Sequence, residues 1–311
     1  MHCNNQIRTI CRVVHENRAP EISTVNLTVD IQQRRIIFMK TIKYLTVFCM
    51  MICMIMQLNI NVSANENNIC YVAHRGYTKY APENSIPAFE AAGKEGFQAV
   101  ECDIHETAKN KKGKRRFVIM HDQTLNRMCG LSGKNIYQKK LTYQKIQSKY
   151  HIKTGNNIES YTKKQLRIPS LEEYLSICKR YHMKPVIEIK QKMKKDTIKR
   201  LYQSLKKAKM QNQAVVTCKY KQQLTYMRKY ARKMPLEYVR HDFTQNDLSW
   251  MKKYHINVSI NKNILSDDMI QLFERNNIKI NIWTINNKDQ LYNFTNKGIK
   301  IVTSDDTLWK E

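Results

Sequence analysis

An alternation of two kinds of segment constrains this chain most. Short runs rich in β-branched residues recur at 70–74, 99–104, 184–190, 214–218, 235–240, 256–260, 279–284 and 299–303. Between most of them lie amphipathic segments at 85–95, 171–182, 197–208, 222–231, 246–254, 267–276 and 289–296. Strands joined through helices pair in parallel, because a parallel connection needs a long crossover. Eight such strands predict an α/β fold, a (β/α)8 TIM barrel in a single domain. An open doubly wound sheet is the rival arrangement. No Gly-rich phosphate turn follows the first run, which counts against it. One connection breaks the rhythm: about 80 residues lie between the second and third runs. They hold a basic loop at 109–116, a short apolar run from Phe117 and a polar excursion near 130–165.

In a barrel of this kind, reactive groups sit at the C-terminal ends of the strands. His74-Arg75-Gly76 ends the first run, Glu101-Cys102-Asp103 the second, and His121-Asp122 follows the Phe117 run. Side chains at i and i+2 of a strand share a face, so Glu101 and Asp103 point together. Glu188 and Lys190 alternate in the same way in Val186-Ile187-Glu188-Ile189-Lys190. Glu101, Asp103 and Glu188 form an all-oxygen set suited to Ca²⁺ or Mg²⁺, not zinc. An internal salt-bridge cluster with Arg75 and Lys190 is the alternative. Arg75 offers a planar fork for phosphate oxygens, and Lys190 a point charge. An ordinary histidine titrates near neutrality, so this residue type at positions 74 and 121 suits proton transfer; which of His74 and His121 is base and which acid is not legible from the residues. Gly76 permits a sharp turn, and Asn84 or Ser85 is a candidate helix cap.

The stretches HRG, PENS, FEAAGKEG, VECDIHET and VIMHDQTLNR occur in this order, followed by IPSLEEYL, VIEIK, WTIN and IVTSD. This series resembles the glycerophosphodiester phosphodiesterase family, from about Tyr71 to Asp306. The resemblance implies the same barrel. It implies hydrolysis of a glycerophosphodiester to an alcohol and sn-glycerol 3-phosphate, with a neighbouring glycerol hydroxyl attacking first and water then opening a cyclic phosphate. It places the divalent cation on Glu101, Asp103 and Glu188, the general base at His74 and the general acid at His121. Trp283 falls where the family lines the glycerol pocket, although a strand tryptophan is otherwise more often core. Glu83 and Asn84 match the PEN motif and are expected to brace the site. Asp122 and Arg127 are expected to hold the His121 loop. Ser85 and Met128-Cys129 depart from the usual residues at side positions only.

Met39-Lys40-Thr41-Ile42-Lys43, the apolar run Tyr44–Leu58 and Asn61-Val62-Ser63-Ala64 together read as a signal peptide over 39–64. An uncleaved membrane anchor is the alternative. Residues 1–38 lack periodicity and are expected to be an over-extended N-terminus, leaving 65–311 as the barrel domain. A secreted or cell-surface enzyme follows as the expected localisation.

Lys and Arg total 54 against 26 Asp and Glu, a formal charge of +28, spread over helix faces. The surplus suits an anionic wall polymer or membrane surface, or is simply a solvated Lys-rich surface. No nucleic-acid module accompanies it, so nucleic acid is not expected. Two further readings stay open: the same chemistry on teichoic or lipoteichoic acid, and a non-catalytic polyanion-binding barrel. The cysteines beyond the leader are scattered and lack CxxC spacing, which fits neither a zinc site nor a disulfide framework.

Overall fold

The computed structural model describes residues 33–35, 37–46, 48 and 69–310 of the 311. The chain divides into two units, Met1–Glu66 and Asn67–Glu311. The described residues of the first are helical and exposed. Among the described residues, no helix is long and apolar enough to cross a membrane. Most of the apolar run 44–58 and the expected cleavage point after Ala64 lie outside the described residues.

The second unit carries the strands β1 (Cys70–Ala73), β2 (Ala99–Glu106), β3 (Phe117–Ile119), β4 (Lys184–Ile189), β5 (Val215–Cys218), β6 (Leu236–Arg240), β7 (Asn257–Asn261), β8 (Ile280–Trp283) and β9 (Ile301–Ser304). Eight are hydrogen-bonded in the order β1-β9-β8-β7-β6-β5-β4-β2, and β1 also pairs with β2, closing a parallel barrel. The expected (β/α)8 architecture is the observed one. β3 is an addition, antiparallel to the end of β2. It carries the chain back beside β2, so the residues after it return to the barrel mouth.

Parity along the strands separates two environments. Cys102, Ile104, Ile187 and Ile189 belong to the large core cluster shared with the helices. Val72, Ala99 and Val186 form a small cluster of their own at the opposite parity. One step further along the same inward face stand Glu101, Asp103 and Glu188. Tyr174, on the helix Leu171–Arg180, joins the layers: its hydroxyl donates to Val100 O at 2.6 Å and accepts from Val186 N at 3.1 Å. That satisfies a buried hydroxyl between β2 and β4.

Ser85 caps the helix Ile86–Glu95, accepting from Ala88 N, and Gly96 ends it in the left-handed conformation. Gly76 has φ +88°, and a Cβ there would stand 2.6 Å from Ala88 Cβ. No side chain fits, and the turn after β1 brings Arg75 back over the barrel. The excursion at 130–165 contains the helix Tyr143–Lys149, capped by Thr142. It packs on its own small core of Met120, Leu125, Met128, Ile146, Ile152 and Ile168.

Candidate active site

β2 and β4 pair in a register that sets Asp103 directly opposite Glu188. Parallel partners share a face, so the two carboxylates converge, with Glu101 one inward position below. Oxygens of Glu101, Asp103 and Glu188 lie within 4.8 Å of one another. Lys190 Nζ stands 3.0 Å from Glu188 and 3.5 Å from Asp103, and Arg75 Nε stands 3.5 Å from Asp103. The ion pairs considered from sequence are therefore present, but they are incomplete. Glu101 Oε1 and Asp103 Oδ1 are buried without a hydrogen-bond donor. Three carboxylates outnumber the two cations that reach them. Buried oxygens left this way are costly unless a cation takes them, and an all-oxygen set fits Ca²⁺ or Mg²⁺.

The charges show the same strain. Burial, then the nearby Asp103 and Glu188, push the Glu101 carboxyl well above its ordinary value. Burial and Asp103 also raise Glu188, against Lys190. Burial would raise Asp103 too, but Lys190 and Arg75 outweigh it and hold that carboxyl down.

Asn84 is not the helix cap. It takes a left-handed conformation, φ 53°, and turns its amide onto Asp103. Its Nδ2 donates to Asp103 Oδ2 at 2.7 Å, and Asp103 N donates to its Oδ1 at 3.2 Å. Arg75 is also left-handed, φ 58°, and its backbone N donates to Glu101 Oε2 at 2.9 Å. Two strained residues thus serve the acidic cluster with amide groups.

The histidines are anchored alike. His74 Nδ1 lies 2.8 Å from Asp305 Oδ1, and His121 Nδ1 lies 2.9 Å from Asp122 Oδ1. Burial would raise Asp305, but hydrogen bonds from His74, Asn286 and Thr78 pull it down to about 2. Asp122 behaves the same way: Arg127 and His121 overcome burial and bring it to about 2. An ionised carboxylate only accepts, so each Nδ1 donates and each neutral ring presents a bare Nε2. Burial lowers His121, with Lys190 and Arg75 adding to it against Asp103 and Asp122. Arg127 bridges Asp122 at 2.7 Å to Glu83 at 2.6 Å, and Glu83 accepts from Arg75 at 3.2 Å. An unbroken ionic chain therefore links the His121 loop to the turn after β1.

Both histidines, Arg75, Glu101, Glu188, Lys190 and Trp283 line one cleft of about 540 Å³ at the C-terminal ends of the strands. Trp283 stands edge-on to His241 at 4.8 Å, and its indole Nε1 has no hydrogen-bond partner. Every sequence-predicted site residue thus falls in or beside one mouth. Sequence reasoning gave no role to two others. Asp305, in the IVTSD stretch, fixes His74. His105 is buried, and its ring nitrogens stand 3.3 Å from Gln191 Oε1 and from His121 O. Its parity with Glu101 and Asp103 was the available signal.

Residues 74–308 match the Glycerophosphoryl diester phosphodiesterase family. The chain is similar to the Bacillus subtilis protein YhdW, 26% identical over 241 residues, covering 75% of this chain and 93% of that one. It is similar to human Glycerophosphodiester phosphodiesterase 1, 27% identical over 169 residues; the alignment spans 54% of this chain and 47% of the human protein. An Oleispira antarctica phosphodiesterase, solved with its product sn-glycerol-3-phosphate, shares the fold with a TM-score of 0.66 at 20% identity, covering 76% of this chain and 92% of that one. The chain belongs to the glycerophosphoryl diester phosphodiesterase family, enzymes that hydrolyse glycerophosphodiesters.

Proposed function

We propose that this chain hydrolyses glycerophosphodiesters to an alcohol and sn-glycerol 3-phosphate by proton transfer between His74 and His121, with one divalent cation, Ca²⁺ or Mg²⁺. One observation carries the reading: two histidines, each pinned at Nδ1 by an ionised carboxylate, open onto the cleft lined by Glu101 and Glu188, which converge with the buried Asp103. Glu101, Asp103 and Glu188 would hold the cation, and their two donorless oxygens support that fit. When bound, the cation supplies positive charge against a phosphoryl oxygen.

The remaining steps belong to side chains. Arg75 and Lys190 hold the diester's non-bridging oxygens. His74 Nε2 takes the proton of the neighbouring glycerol hydroxyl as that oxygen bonds to phosphorus. His121, protonated beside the anionic diester, gives its Nε2 proton to the departing alcohol oxygen as the bond to phosphorus breaks. Water then opens the cyclic phosphate with the two roles reversed. Trp283 lines the cleft and bounds the glycerol half. The leader at 39–64 supports an extracytoplasmic location, which the N-terminal sequence of protein recovered from culture medium would test.

The reaction is tested by release of sn-glycerol 3-phosphate from glycerophosphocholine and glycerophosphoglycerol, with Ca²⁺, with Mg²⁺ and with chelator. Metal-dependent release is expected, reduced about 10²- to 10⁴-fold in His121→Ala. Undiminished release by that variant would remove His121 from the chemistry.

A further inference from the structure

The two flanks of the catalytic cleft differ in charge. On the His74 side lies a cleft of about 680 Å³ where Arg75, Lys79 and Arg127 face Glu83, Asp305 and Asp306. Those charges are equal in number and partly cancel in pairs, Lys79 with Asp306 and Arg127 with Glu83. On the His121 side lies a cleft of about 770 Å³ whose walls carry seven Lys and Arg side chains against two acids. The whole chain has 54 against 26, so this cleft exceeds the general surplus.

Most of that charge is available. Glu106 takes both arginines, Arg115 and Arg200. Lys109, Lys139, Lys140, Lys192 and Lys194 make no ion pair among the described residues. Lys139 and Lys140 lie over the Tyr137 ring at 5.8 and 5.3 Å, and Lys192 over Tyr220 at 5.5 Å. Aromatic faces thus support three of the ammonium groups without neutralising them.

A second feature points the same way. The helix Lys195–Lys207 begins in this cleft, and its N-cap, Lys194, makes no side-chain capping bond. The positive end of a 13-residue helix adds to the lysines there, offset in part by Asp196 in its first turn.

The cleft is continuous with the chemistry at His121. Gln123 lines both clefts, and His105 reaches from Gln191 to the His121 carbonyl. If His121 serves the departing alcohol, that half of the substrate leaves on the basic side, not the balanced one.

We propose that this cleft receives a further phosphate carried by the alcohol half of the substrate, so that the preferred diesters are those whose leaving group is itself phosphorylated. The inference rests on the reading of His121 given above. It adds binding only; bonds and protons move as already described.

The test uses a matched pair, glycerophosphoinositol and glycerophosphoinositol 4-phosphate, with the full chain. The phosphorylated member should show about tenfold higher kcat/KM, the effect of one added charge-assisted contact. The preference should vanish in Lys192→Ala/Lys194→Ala and again in Lys139→Ala/Lys140→Ala, with glycerophosphoinositol turned over as before. Equal values in the native protein, or variants that slow both substrates alike, would overturn the proposal. Calorimetric binding of inorganic phosphate in chelator gives a readout independent of turnover. Binding that weakens in both double variants supports the cleft even if neither diester is hydrolysed, in which case the proposed reaction alone fails. Phosphate bound without any preference within the pair would mark a site for free phosphate and also overturn the proposal.

Discussion

The mouth and the floor of the barrel both bury carboxylates, and they settle the charge in different ways. At the floor, Glu237 is 4% exposed and has one polar partner, Asn281, whose Nδ2 donates at 3.0 Å. Asn281 is held in turn by Thr303 Oγ1 at 2.8 Å. Burial raises that glutamate to about 7, so a proton removes much of its charge. At the mouth, three acids share Arg75 and Lys190, and two of their oxygens lack donors. A lone acid can take a proton and become a neutral part of the core. A cluster with cations at its edge keeps charge, and the cost is carried for function. A site built to take a cation should therefore be the less comfortable of the two without one.

Paired substitutions at the two ends test that contrast. Glu101→Gln should reduce metal-dependent activity at least about a hundredfold, since it removes a ligand oxygen from the cluster. In chelator the same variant should melt above the native protein, because a like charge has left a buried cluster. The native protein should recover the difference on adding cation, by about 2.7 kcal/mol at a hundred times its Kd. Activity assays and thermal unfolding with and without chelator measure all three. A variant that melts lower in chelator would show that the mouth is not charge-strained, and the comparison would collapse.

Glu237→Gln should do the converse, changing stability and sparing activity. The folded chain holds the Glu237 proton up to about pH 7, above the ordinary glutamate value of 4.5. Between those values the folded state binds more protons than the unfolded state, so this group makes stability fall as pH rises. Above pH 7 its penalty is complete and constant. The Gln variant lacks this slope, and at pH 8 it should gain up to about 3 kcal/mol. Denaturant titrations at pH 4 and pH 8 measure it. An equal effect at both values would mean that Glu237 is not titrating in the fold.

Much of the architecture was legible because it is written in periods of two and 3.6. Short runs rich in β-branched residues marked the strands, and histidines and acids at their ends marked the mouth. The register was not legible. Nothing local says that Asp103 sits opposite Glu188, or that Asn84, 19 residues before Asp103, turns its amide onto it. Asn84 in PENS read equally well as a cap; its left-handed backbone and the capping bond from Ala88 N to Ser85 decide against it. The helix Tyr143–Lys149 was missed because its single buried residue, Ile146, gives no periodic signal. The basic cleft is assembled from separate segments, each of which reads alone as solvated surface.

The finest test concerns a mouth residue outside the acidic cluster. Arg127 ties Asp122 to Glu83, but half of its side chain is exposed. Solvent screens such a pair, so Arg127→Ala should cost under about 1 kcal/mol in stability. What is lost has a definite pH sense. Asp122 is held at about 2, so its stabilisation is present above the ordinary carboxylate range and fades as pH falls toward 2. Without Arg127 the folded value lies closer to the ordinary one, so the fading should be smaller and complete at a higher pH. Catalysis should respond through orientation: Asp122 would still accept from His121, but on a looser loop, and kcat should fall about tenfold with KM little changed. The alkaline limb of the kcat profile should move up, since a nearby positive charge has gone and His121, the proton donor, keeps its proton more readily. An Arg127→Ala loss as large as that of Glu101→Gln would place the strain of the mouth in its ionic chain and not in its buried carboxylates.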